Sequence, residues 1–157
     1  MSKRIWRSAV AAVAGIIFVA GVAVAATTVH RAHGRFTDVD STRREAGVWH
    51  VGVVTRTRGG NSGETDVILA TAKHLDVSGA SAANPPSFHV WMVSSDTLTA
   101  ADFGAMRVNR RGNAAFKFDT RRGATLPSGV TSLSTFSGGT IEVRDGTSAV
   151  VLSSTLP

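Results

Sequence analysis

The chain has no cysteine among its 157 residues, few aromatics (6%) and only four prolines. Without cysteine, no disulfide can staple a small exported domain, and no thiol can carry the lipid that anchors many bacterial surface proteins. Any folded part must hold together by its core. Scarce aromatics leave no stacking platform for single-stranded nucleic acid, which is not an expected partner. No amphipathic stretch is long enough to cross between parallel strands, which sets aside β/α architectures.

Catalytic motifs are missing as well. No serine sits in a Gly-x-Ser-x-Gly elbow, and Gly59-Gly60-Asn61-Ser62-Gly63 lacks the Lys-Ser/Thr pair of a phosphate loop. The acidic residues are scattered at strand ends and turns and are not paired for glycoside chemistry. The sequence reads as non-enzymatic and implies no cofactor.

What is present begins at the N-terminus. Lys3, Arg4 and Arg7 precede an uncharged, mostly apolar run from Ser8 to Val29. Cations ahead of such a run form an export signal. Two readings are open. The run is a signal peptide cut after Ala25 or Ala26, behind the small-residue site Ala23-Val24-Ala25, or it is an uncleaved signal anchor. As a helix, its 22 residues at about 1.5 Å each would span roughly 33 Å, enough to cross a bilayer. Either way the bulk of the chain lies outside the cytoplasm, at the cell membrane through residues 8–29 or secreted if cut near Ala25.

Residues 30–46 are polar and charged and read as a linker or stalk. From Gly47 the pattern turns to short apolar runs separated by Gly, Ser, Asn and Pro. Strands are expected at Val48–Thr57, Thr65–Val77 (Val67, Leu69, Thr71 and Leu75 on one face), Phe88–Val93, Phe103–Val108, Ala114–Asp119, Leu133–Phe136, Thr140–Arg144 and Ala149–Ser153. Phe88–Val93 reads as a central strand buried on both faces, and Thr97–Asp102 as a turn of helix. In Ala114–Asp119 the alternation points Ala114, Phe116 and Phe118 inward, with Lys117 and Asp119 towards water. Roughly seven to eight short strands over residues 47–157 describe an all-β, antiparallel, Ig-like β-sandwich preceded by an N-terminal apolar helix.

Removing Lys3, Arg4 and Arg7 leaves 14 basic against 11 acidic side chains. The remaining cations are nearly all arginine and cluster in turns. Arg110-Arg111 and Arg121-Arg122 flank one strand and are the candidate anion contacts. A basic surface of this kind suits an envelope polyanion or anionic headgroups, although exposed turns also carry charge simply for solubility. His50, His74 and His89 lie on different expected strands, and an alternative reading joins them in a metal or redox site across a sheet. Trp49 and Trp91 sit within valine runs and read as core.

Phe88-His89-Val90-Trp91-Met92-Val93, Phe103-Gly104-Ala105-Met106, Gly112-Asn113-Ala114-Ala115-Phe116 and Ile141-Glu142-Val143-Arg144-Asp145 follow one another as in small extracytoplasmic bacterial sandwiches. Over residues 64–152 the chain resembles the outer domain of anti-sigma-K-type factors. The resemblance implies a fold and a location. With seven residues ahead of the apolar run, it implies no sigma-factor binding and transfers no functional residue. The expectation is an exported, membrane-tethered or secreted sandwich that binds a polyanion or a protein at the bacterial cell envelope.

Overall fold

A computed structural model describes residues 26–39, 47–58, 61–79, 81 and 83–157. The expected N-terminal helix up to residue 25, and residues 40–46 of the expected linker, lie outside them. The described chain is all-β and antiparallel. Its strands are β1 (Ala26–Asp38), β2 (Gly47–Arg58), β3 (Asn61–Ala72), β4 (Phe88–Val93), β5 (Ala100–Ala105), β6 (Arg107–Val108), β7 (Ala114–Asp119), β8 (Thr140–Asp145) and β9 (Val150–Thr155).

The strands form one nine-stranded sheet in the order β5-β4-β8-β9-β1-β2-β3-β7-β6, curled nearly into a barrel. Two devices turn the corners. Strand β1 pairs with β2 over Ala26–Phe36 and then with β9 through Thr37 and Asp38. At the other end, β5 runs into β6 with only Met106 between them, and the Met106 N–H donates to the Phe88 carbonyl at 2.7 Å.

Strand β1 was not expected. Residues 26–29 were read as the end of the apolar run and 30–38 as linker, yet all of them pair in register with neighbouring strands. The reason is an alternation without bulk. Arg31, His33 and Arg35 are exposed, while Ala32 and Gly34 are half-buried and Phe36 is fully buried. Gly34 is small of necessity, because a Cβ there would lie 2.5 Å from Cζ2 of Trp49.

Strand β3 inverts the face that its sequence suggests. Val67, Leu69 and Thr71 point outward, whereas Asp66, Ile68, Ala70 and Ala72 are buried. The strand ends at Ala72, and Leu75 is buried in the following turn, where its N–H donates to the Gly112 carbonyl at 3.1 Å. Glycine is required at 112. Its φ is +72°, and a Cβ would sit 2.2 Å from the Leu75 oxygen.

Strand β4 buries Phe88, Val90 and Met92 and leaves His89, Trp91 and Val93 half-buried, so one face is core and the other partly open. The expected helical turn at 97–102 is instead a loop followed by β5. Thr97 has φ +60°, its N–H donates to the Ser94 carbonyl, and the Leu98 N–H donates to Asp96 Oδ1. Leu133–Phe136 is a 3-10 turn, not a strand. Ser132 caps it through the Ser134 N–H, and Leu133 and Phe136, three apart, both point into the core. Strand β7 spans the residues expected, with Ala114 and Phe118 buried and Phe116 half-buried beneath the sheet. Asp119 departs from expectation and is buried rather than solvated.

The core joins both halves of the sheet. Phe103 on β5 meets Phe118 on β7 edge-on at 5.3 Å and Phe136 at 5.8 Å. Around them Trp49, Ile68, Val90, Met92, Ile141 and Val143 are almost fully buried. Each such side chain contributes about 1.5–3 kcal/mol by leaving water.

Candidate functional site

The four candidate arginines do not form one site. Arg110 and Arg111 are exposed in the β6–β7 turn, which Asn109 braces by accepting the Arg111 and Asn113 N–H groups at 2.9 and 3.1 Å. Arg121 and Arg122 lie at the far end of β7, in the 3-10 turn Thr120–Arg122. There Arg121 donates to both Asp119 oxygens at 3.3 Å, and Arg122 Nε approaches Oδ2 at 3.6 Å. The hydrogen bond from the Arg121 side chain is the main reason that the Asp119 carboxyl titrates below the usual range.

Arg122 does join other cations. Strand β6 pairs only with Ala114 and Ala115 of β7, so beyond Ala115 that edge of β7 has no partner strand among the described residues. The seam is a groove of about 650 Å³ with Ala105 and Phe116 in its wall. Arg107 from β6, Lys117 from β7 and Arg122 line it, against the single carboxylate of Asp119. A site with three cations and one acid already held by arginine suits an anionic group. Arg107 and Lys117 carried no sequence signal of their own. Only strand register brings them beside Arg122.

The histidines do not assemble. His50 is on the outer face of β2, stacked on His33 of β1 with ring centroids 5.9 Å apart. His74 lies in the loop after β3 with φ +61°. His89 is on the outer face of β4, where its Nδ1 lies 2.8 Å from Asp102 Oδ2. Among the described residues no group of three or more His, Cys, Asp or Glu is placed to hold a metal ion. Of the expected three-histidine set, His50 and His89 thus stand on the outer faces of β2 and β4 and His74 lies in a loop off the sheet.

The outer face around His89 is charge-balanced. Asp102 also accepts the Gly104 N–H at 2.8 Å. Arg144 pairs with Glu142 at 2.7 Å and lays its guanidinium 4.6 Å over the Trp91 ring. Trp91 is thus an outer-face residue under an arginine, while Trp49 is core. A carboxylate orienting an imidazole is one part of an acid–base device. Here, among the bonds described, the pair bonds only to the Gly104 N–H, while Glu142 separately accepts from Arg144 Nε at 2.8 Å and from the Thr140 hydroxyl at 3.2 Å.

A second cleft of about 640 Å³ opens between the inner ends of β1–β3 and the Leu133–Phe136 turn. Its floor is apolar (Val53, Met92, Phe136, Leu156), with His30 and Glu64 among its lining residues. Among the described residues no helix is long and apolar enough to cross a membrane. No family model, curated protein or solved structure matches the chain.

Proposed function

We propose that this chain is an exported, non-enzymatic binding domain of the bacterial cell envelope that takes an anionic partner in the seam groove beside β7. The two halves of the sheet, β1-β2-β3-β7-β6 and β5-β4-β8-β9, act as the layers of a sandwich whose corners are β1 and the β5–β6 junction. The N-terminal cations and apolar run supply the export address. The observation that carries the reading is the convergence of Arg107, Lys117 and Arg122 on one groove. A phosphodiester or carboxylate polymer running along the open edge of β7 would meet these cations in succession.

The test is binding to inorganic polyphosphate across a salt series. The wild-type protein should bind, weakening as ionic strength rises and the Debye length shortens from about 10 Å at 0.1 M. The variant carrying Arg107→Ser, Lys117→Ser and Arg122→Ser should lose most of that affinity, while Arg110→Ser with Arg111→Ser should change it little. Equal binding by the wild type and the triple variant would overturn the groove as the site.

A further inference from the structure

We infer that the outer face of β1, β2 and β3 docks flat on an anionic phospholipid surface. Strand register defines the face. His33, His50, Leu69 and Lys117 lie in one row across β1, β2, β3 and β7, and Arg35, Val48, Thr71, Ala115 and Arg107 lie in the next. Among the described residues, the outward positions of these strands and β6 carry Arg31, Arg56, Arg107 and Lys117. Against them stands one carboxylate, Asp119, which Arg121 and Arg122 already hold. The opposite outer face instead pairs Asp102 with His89 and Glu142 with Arg144. The excess of positive charge is therefore a property of one face.

Two features favour a bilayer over a soluble polyanion. First, the cations are spread, not gathered. Neighbouring strands are about 4.8 Å apart, and residues four apart on a strand are separated by about 13 Å, so the charges form a broad lattice. Second, aliphatic side chains stand open among the charges, with Val29, Val48 and Leu69 exposed by 45%, 42% and 41%. A soluble polymer offers them nothing, whereas the interfacial region of a bilayer accepts both a basic rim and apolar tips. The face goes beyond the groove reading, and of its cations it shares Arg107 and Lys117 with the groove.

The absence of cysteine permits a local readout. In the full chain, Leu69→Cys carries an environment-sensitive fluorophore, and Ser153→Cys carries the same dye on the opposite outer face. Vesicles of phosphatidylglycerol mixed with phosphatidylcholine should blue-shift the dye at 69 and leave that at 153 unchanged, and pure phosphatidylcholine should shift neither. Adding Arg31→Ser and Arg56→Ser should weaken the response at 69 at least tenfold in lipid concentration, since each surface cation counts for about fivefold near an anionic leaflet. Because the dye reports its own face, attachment through the apolar run does not mimic the result. An unshifted dye at 69, an equal shift at 153, or the same shift with polyphosphate alone would each overturn the proposal. The Arg31 and Arg56 changes leave the seam groove intact, so polyphosphate binding separates failure of this face from failure of the groove.

Discussion

Asp66 gives the sharpest test of how the inner face of β3 holds the fold. It is buried at 3% exposure, and its Oδ1 accepts the Leu133 N–H at 3.0 Å, tying β3 to the 3-10 turn that brings in Phe136. Burial pushes its carboxyl above the usual carboxylate range. The Leu133 N–H opposes that shift, and nearby Glu64 adds to it. A carboxyl raised in the folded state contributes stability below its unfolded pKa near 3.8 and loses it as pH rises through the folded value. At neutral pH, then, the hydrogen bond stabilises and the charge does not. Asp66→Asn keeps an acceptor for Leu133 and removes the charge, so at pH 7 it should match or exceed the wild type in stability. Any advantage should vanish below the unfolded pKa, where the wild-type carboxyl is already neutral. Asp66→Ala leaves a buried N–H unpaired and should lose about 1–3 kcal/mol. With an m value of about 2 kcal/mol/M, that lowers the urea midpoint by about 0.5–1.5 M. Urea unfolding followed by tryptophan emission measures all three proteins. If the asparagine variant lost as much as the alanine variant at pH 7, the carboxylate charge itself would be holding the turn, and this reasoning would fail.

Gly112→Ala forces a side chain into a left-handed backbone and against the Leu75 carbonyl, and it should cost at least about 2 kcal/mol. Gly123→Ala, at φ +89° with nothing within 4 Å of the added Cβ, bears the strain alone and should cost less; equal losses in melting temperature would contradict the close approach at 112. Intact mass of the protein from fractionated cells should place the mature N-terminus at Ala26, the first residue of β1; a full-length mass in the membrane fraction would count against it.

Much of the all-β pattern could be read directly because its strands carry bulk on one face. In β7, Ala114, Phe116 and Phe118 alternate with polar or small residues, and in β8 Ile141 and Val143 do the same. Strand β3 misled because two aliphatics, Val67 and Leu69, are outer while Ile68 is the one bulky aliphatic among its buried residues. Inside, Ala70 leaves room beside Trp49 and Phe116, its partners on β2 and β7, and Ala72 lies between Gly47 and Ala114, so small residues there mark a buried side. The 3-10 turn at 133–136 did have a signal. Ser132 is a capping residue, and Leu133 and Phe136 are spaced for one face of a turn, not for a strand. The seam groove had no local signal. Its cations come from β6, β7 and the turn after it, and their convergence depends on β6 stopping after two residues.

The N-terminal segment is where the fold bears most directly on the two readings of export. In a membrane-spanning helix the N–H groups of residues 26–29 bond to carbonyls four residues earlier. In β1 the same backbone pairs with β2, from Ala26 opposite Thr57 to Val29 opposite Val54. One arrangement excludes the other. A span that respects β1 keeps only residues 8–25, about 27 Å at 1.5 Å per residue, against a hydrocarbon core of about 30 Å. A cut after Ala25 has no such conflict. It leaves every residue of β1 in place, whereas a cut after Ala26 removes the first pair. Of the readings the sequence left open, release at Ala25 is the one that costs the sheet nothing. A domain so released would have no apolar segment to keep it at the membrane, and the cationic face of β1–β3 would be the surface able to do so.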